Sequence, residues 1–273
     1  MAVKLWRILA TLSIAVASVT ARAWSQSFDV VAVKPAGPDE SGLHWNRDDA
    51  LTKINNFPLL NLVMRAYNLK APSQVIDLPP WADKDRFDIV AKYASEDFKQ
   101  IDTLPREDQA AVYRASLQAL LADRFGLQGA SESRRMPRFA LERVSATEMG
   151  PGLKQMPVGP DGKPAGGRNS SRVSSRTSEA FMEVTGITMA DLADLLSGQH
   201  EVASRIVVDR TGLPGFFRFH LDYAPDNGLG LSPDATLPGL LDAVRQQLGL
   251  KLVREEGDVP VIVVKAVHKP EFD

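Results

Sequence analysis

Hydrophobic positions along this chain switch repeatedly between a period of two and a period near 3.6. Phe28 to Val33 (FDVVAV) is apolar and β-branched and closes on Lys34-Pro35, which predicts an edge or leading strand. Gly37 to Asp49 is polar and turn-rich. Leu51 to Ile54 predicts a strand, and Pro58 to Tyr67 a helix with Leu59, Leu62, Val63 and Ala66 on one face. Proline-rich Asn68 to Lys84 reads as irregular loop. Phe87, Ile89 and Ala91 alternate with Asp88, Val90 and Lys92, the pattern of a half-buried strand. A longer helix follows. Thr103 is its expected cap and Pro105 sits in its first turn. Tyr113, Leu117, Leu120, Leu121 and Phe125 form its stripe, and Gly126 takes the left-handed stop.

The pattern then recurs. Leu51 to Tyr67 has a counterpart in Phe181 to Ser197, displaced by 130, and Arg86 to Tyr93 matches Phe216 to Tyr223 at the same displacement. Leu117 to Leu127 matches Leu240 to Leu250, displaced by 123, with Thr236, Pro238 and Gly249 as cap, first turn and stop. Each unit is expected to end in two strands. In the first, Leu127 to Ser131 leads to Arg138 to Val144. In the second, Leu250 to Arg254 crosses a turn at Glu255-Glu256-Gly257-Asp258 to Val259 to Val267. The fold class this predicts is α+β: two tandem copies of a β-α-β-loop-α-β-β unit, with helices packed on a mostly antiparallel sheet.

Composition adds a compartment. Lys4 and Arg7, the apolar run Ile8 to Val19 and Ala21-Arg22-Ala23 read as a signal peptide over residues 1–23. No later stretch is long and apolar enough to span a bilayer as a helix, so an exported, periplasmic or secreted chain is expected. The absence of cysteine excludes disulfides, thiolate metal sites and a Cys nucleophile. Removing Lys4, Arg7 and Arg22 from the 32 basic residues leaves 29 against 34 acidic ones, a net charge of −5, which disfavours nucleic acid as a partner. The expected layout is signal peptide 1–23, a first unit with its leading strand over 24–149, a linker over 150–178 and a second unit over 179–273. The linker reads as solvated and flexible: it is rich in Gly, Pro and Ser and carries Lys154, Lys163, Arg168, Arg172 and Arg176 against Asp161.

Chemistry leaves a fainter mark. His44, His200, His220 and His268 have no metal-ligand spacing, and no nucleophile elbow, Walker loop or dinucleotide fingerprint occurs, so neither cofactor nor catalytic residue is assigned. Three residues stand out as candidate ligand contacts. Trp45 and Trp81, in expected loops, could stack on a sugar or a peptide, or instead plug the open ends of a core. Asp209 opens the turn Asp209-Arg210-Thr211-Gly212, where it could present an acid at a loop tip or bond locally to shape the turn.

Several longer segments carry a family likeness: FDVVAVKP (Phe28 to Pro35), LPPWADKDRFDIVAK (Leu78 to Lys92), LQALLADRFGL (Leu117 to Leu127), MGPGLK (Met149 to Lys154), ITMADLADLLSG, IVVDRTGLPGFFRFHLDY, LLDAVRQQLGLKL and VIVVKAVHKP. Through them the mature chain resembles a family of uncharacterised exported proteins, often called soil-associated, that is expanded in soil-dwelling acidobacteria. The resemblance implies a domain of unknown function and transfers no catalytic residue. Related domains follow antirepressor-type metallopeptidases, which implies an envelope sensing or binding role. The sequence departs from the family after Leu127, where Ala130 and Ser131 occupy the places of a family His and Arg. Leu237 to Val264 also resembles the short docking domains of secretins and TonB-dependent receptors. The expectation is an exported, non-catalytic envelope protein that binds a protein partner or a cell-wall component. The alternative is an envelope hydrolase with its site in the cleft between the units.

Overall fold

The computed structural model describes residues 27–37, 42–160, 162–165, 170–175, 179–226 and 230–273, so the expected signal peptide lies outside the described residues. The described chain is α+β. In order it runs β1 (Val30–Pro35), β2 (His44–Asp48), β3 (Leu51–Pro58), α1 (Leu59–Ala66), β4 (Val75–Ile76), α2 (Trp81–Lys84), β5 (Arg86–Lys92), α3 (Ser95–Asp102), α4 (Arg106–Phe125) and β6 (Gln128–Arg143). There follow β7 (Lys154–Met156), β8 (Ser170–Ser175), β9 (Ala180–Ile187), α5 (Met189–Ser197), β10 (Val207–Asp209), β11 (Phe216–Tyr223), α6 (Leu240–Leu248) and β12 (Leu250–Ala266). Three four-stranded sheets result, ordered β1-β5-β3-β2, β10-β6-β12-β4 and β7-β11-β9-β8. The first and third are antiparallel throughout. In the middle sheet the short outer strands β10 and β4 run parallel to β6 and β12.

The two expected terminal hairpins do not form. β6 and β12 are each one continuous strand, and they pair with each other antiparallel from Leu250↔Arg143 to Ala266↔Gln128. At about 3.4 Å per residue this ribbon is roughly 50 Å long. Glu255-Glu256-Gly257-Asp258 has turn-like composition, but it faces a basic stretch of β6: Glu255 pairs with Arg138 and Asp258 with Arg135. The Arg138 Nε lies 2.7 Å from the Glu255 carboxylate, and its guanidinium donates to the Asp258 carbonyl at 2.8 Å. Gly257 is needed beneath it, since a Cβ there would stand 2.2 Å from the Arg138 Cζ. Pro137 and Pro260 lie just before the pairings of β10 and β4 begin, where the ribbon's outer edge is open and no partner needs their missing N–H. The continuous strand also removes the strand-turn-strand pattern on which the likeness to secretin docking domains rested.

Each lobe is completed by a strand from the other half of the sequence. The first core gathers Ile54, Leu62, Phe87, Leu121 and Phe125 with Val264 of β12. The second gathers Met182, Leu192, Phe217, Leu221, Val244 and Leu248 with Phe139 and Leu141 of β6. Between them Ala71, Ile206, Val259, Val261 and Val263 form a small central core against the ribbon. The C-terminal tail strengthens the exchange. The His268 N–H donates to the Phe125 carbonyl at 2.8 Å, and Asp273 accepts the Val33 N–H at 2.9 Å while pairing with Arg124. The Arg124 contact and the Val33 N–H hold the Asp273 carboxyl below its ordinary value.

Other expectations change with this packing. The stretch 150–178 is not simply linker: it supplies β7 and β8, the two edges of the third sheet. Its Gly150 and Gly152 N–H groups donate to the Leu248 and Gln247 carbonyls at 3.0 and 2.8 Å, satisfying the end of α6. A Cβ on Gly150 would meet the Leu248 carbonyl carbon at 2.1 Å, which explains the MGPGLK segment physically. Thr103 terminates α3 by donating to the Gln100 carbonyl at 2.7 Å and does not cap α4, which begins after Pro105. Helix α6 likewise starts at Leu240 after Gly239, not at Thr236. Gly126 and Gly249 do stop α4 and α6, at φ 60° and 67°. The supposed loop over 68–84 holds β4 and α2, and the turn-rich stretch 37–49 contains β2.

Leu141→Ala tests the exchange. Leu141 is fully buried in the second core although it belongs to the strand that follows α4 of the first lobe. The substitution should cost about 2–5 kcal/mol. Hydrogen exchange should accelerate in α5 and α6 before it does in α1 and α4.

Candidate functional site

The three sequence candidates fall in three different settings. Trp45 lies on β2 opposite Ile54, not in a loop, and is half-buried. Its ring meets Phe57 and Tyr113 edge-on at 5.3 and 5.8 Å. Trp81 opens α2, also outside any loop, and packs edge-on to Phe87 at 6.4 Å with the Lys269 Nζ 5.8 Å from its centroid. Both tryptophans pack against the first core. Asp209 ends β10 and is exposed. Its carboxylate accepts both the Thr211 N–H and the Thr211 hydroxyl at 2.8 Å, and the Thr211 Oγ1 in turn accepts the Leu213 N–H at 3.1 Å. That is a local turn, closed on itself.

Around Trp45 the fold builds something the linear sequence does not display. Strand β2 places Arg47, α1 places Arg65, and α4 places Tyr113 and Arg114. Together with Met64 and Leu117 they line a cleft of about 320 Å³. Helices α1 and α4 pack on each other to form its floor. Trp45 stands behind the wall. The Arg65 guanidinium lies over its ring at 4.5 Å and 5.8 Å from the Phe57 centroid, while the Arg47 guanidinium lies over Tyr113 at 5.4 Å. A cation in this position is attracted by the negative face of the ring. Burial pushes the Tyr113 hydroxyl above its ordinary value. The neighbouring Thr52 hydroxyl and the Arg47 and Arg65 guanidiniums oppose the shift without cancelling it. Tyr113 is therefore a neutral wall at physiological pH.

A second cleft of about 340 Å³ sits at the centre of the ribbon, lined by Pro137, Arg138, Arg205, Arg254, Glu255 and Glu256. Arg205 and Arg254 flank the Phe139 ring at 5.8 and 6.0 Å. Glu255 is occupied by Arg138 at 2.7 Å and approached by Arg210 at 3.7 Å, so it serves the ribbon. Among the described residues no group of three His, Asp or Glu is placed to hold a metal ion. His220 lies on β11, with its Nε2 2.9 Å from Asp222 and its ring stacked on Phe181 at 5.5 Å.

Arg47, Arg65 and Arg114 escaped the sequence reading because they are isolated cations on three separate elements. Tyr113 was visible there only as one member of a helical stripe. Asp209→Ala should cost about 1 kcal/mol in urea unfolding through loss of the turn bonds. Asp209→Asn, which keeps an acceptor, should cost less.

Comparison with known proteins gives one match. Residues 60–267 match the family described as Protein of unknown function (DUF3738). The matched span includes Arg65, Trp81, Tyr113, Arg114 and Asp209 and begins after Trp45 and Arg47. No curated protein and no solved structure matches the chain. Since the matched span runs from α1 to the end of β12 and covers most of the sequence, the chain belongs to the DUF3738 family.

Proposed function

We propose that this protein is an exported, non-catalytic binding protein of the cell envelope, and that its ligand site is the cleft between β2, α1 and α4. The observation that carries the reading is the cleft's construction. Side chains from three elements converge on about 320 Å³, with apolar Met64 and Leu117, the flat Tyr113 ring, and cationic groups held in place by aromatic faces. That volume and that mixture suit a small ligand or the end of a polymer chain. The ligand is a cell-wall component or a segment of an envelope protein. Export is supported by the sequence of residues 1–23 alone.

We also read the two lobes as copies of one unit. Support comes from their parallel layouts: β1-β5-β3-β2 in one, β7-β11-β9-β8 in the other, each with a helix directly after its third-placed strand. Arg135 and Asp258, displaced by 123 in the sequence, pair with each other near the middle of the ribbon. The cleft's three arginines belong to the first lobe, so on this reading the binding site was acquired by one copy.

The test is thermal unfolding of the mature chain, Trp24 to Asp273, against muropeptides, neutral oligosaccharides and peptides. A ligand at 100-fold over its dissociation constant adds about 2.7 kcal/mol, which for a chain of this size is a shift of roughly 5–10 °C. Met64→Trp should fill the cleft and abolish the shift while leaving a cooperative transition. A ligand whose shift survives Met64→Trp would move the site elsewhere, and one that is turned over would favour the hydrolase reading, with its site between the two units.

A further inference from the structure

The binding reading leaves the ligand's chemistry open, and the charges around the cleft narrow it. Arg47, Arg65 and Arg114 come from positions far apart in the sequence, yet they meet at one opening. Among the described residues none of the three has a carboxylate within 4.0 Å or donates a hydrogen bond. Arg124, Arg134, Arg138 and Arg210 have an acidic partner, whereas Arg86, Arg205 and Arg254, like the three here, have none within 4.0 Å among the described residues. What sets the three apart is the lining of their cleft. The four others described carry acids in their walls: Glu255 and Glu256; Asp123, Glu271 and Asp273; Glu148; and Glu183. The cleft beside Trp45 has none. In a chain whose formal net charge is −2, three unneutralised cations at one opening run against the average.

The geometry also leaves those cations ready to bind. The Arg65 and Arg47 guanidiniums lie over the Trp45 and Tyr113 rings, 4.5 and 5.4 Å from their centroids. A guanidinium that donates to no protein acceptor keeps its N–H donors for a ligand, and its planar fork matches the paired oxygens of a carboxylate or phosphate. Stacking also holds the side chains in place before the ligand arrives, so less rotamer entropy is lost on binding. The hydroxyl of Tyr113, close enough to feel both guanidiniums, stays protonated and adds no competing charge. We propose that the cleft takes a multivalent oxyanion: one small ligand, or one polymer end, bearing two or more carboxylate or phosphate groups. Arg47, Arg65 and Arg114 are its binding residues, and Trp45 is a positioning residue that acts through Arg65. The inference rests on the binding reading and adds the ligand class to it.

Calorimetric titration of the mature chain with citrate, with inorganic pyrophosphate and with a neutral trisaccharide tests it. Binding of either anion is expected, weakening as salt rises. Arg65→Gln and Arg47→Gln should each weaken it about ten-fold or more, with the unfolding temperature little changed. Arg65→Lys should recover only part of the loss, because an ammonium keeps the charge but not the planar rim. Citrate alone would identify carboxylates as the ligand groups and pyrophosphate alone phosphates. Binding of both would identify charge as the selected property. The proposal is overturned if neither anion binds, or if binding ignores both glutamine variants in chains that unfold normally. If the neutral trisaccharide or a neutral peptide binds and Met64→Trp removes it while both anions fail, the cleft remains a binding site and only its ligand class falls. If nothing binds there, both readings fall together.

Discussion

The antiparallel pairing of β6 with β12 is the interaction on which the other elements depend. Each strand begins at the glycine stop of a helix in its own half and ends inside the core of the other half. Neither lobe therefore has a closed hydrophobic core without the ribbon. Pairing alone would not specify so long a ladder, because a slip by one residue would turn every side chain to the opposite face. Register is held by what lies along it: Phe139 and Leu141 in one core, Val264 in the other, and the Arg138–Glu255 contact with its glycine cradle between them. The charged middle is half-exposed and adds modest energy. Its larger effect is on specificity, since a shifted register would separate the acidic stretch from the basic one.

Because the ribbon locks the lobes together, the candidate cleft is free of that structural duty. It lies on the flank of the first lobe, where α1 and α4 pack and β2 forms the edge of its sheet. Edge strands carry side chains that no neighbouring strand covers, so Arg47 and Trp45 can reach across to the helices. Trp45 takes the core-packing role that the sequence offered for it, and a cation lies on its ring as well. It packs against the core through Phe57 and Tyr113, and its face supports a cation at the cleft wall. The central cleft is different. Its Glu255 carboxylate already holds Arg138, so that pair serves the register of the ribbon.

Much of the local structure was legible. The stripe on α1, the alternation in β5 and β11, the strand at Phe28 to Val33 and the stops at Gly126 and Gly249 follow from periodicity and from the conformational freedom of glycine. The Asp209 turn was legible too, because its bonds run between residues two apart. The errors share a cause. Glu255-Glu256-Gly257-Asp258 has turn chemistry when read alone, and only the facing arginines make it strand. Gly150 and Gly152 read as linker until the end of α6 is placed beneath them. Thr103 offers a hydroxyl to either neighbouring helix, and sequence order does not say which helix receives it.

What the sequence by itself determined is the material of the fold: an α+β chain built without cysteine, with glycine stops at the ends of α4 and α6. These properties are set by contacts a few residues apart, or by composition. What only the tertiary structure decided is which half completes which core, and where cations and aromatic faces meet. Arg47, Arg65 and Arg114 form no pattern along the chain because they sit on three elements. Their meeting is a property of packing and not of spacing along the chain.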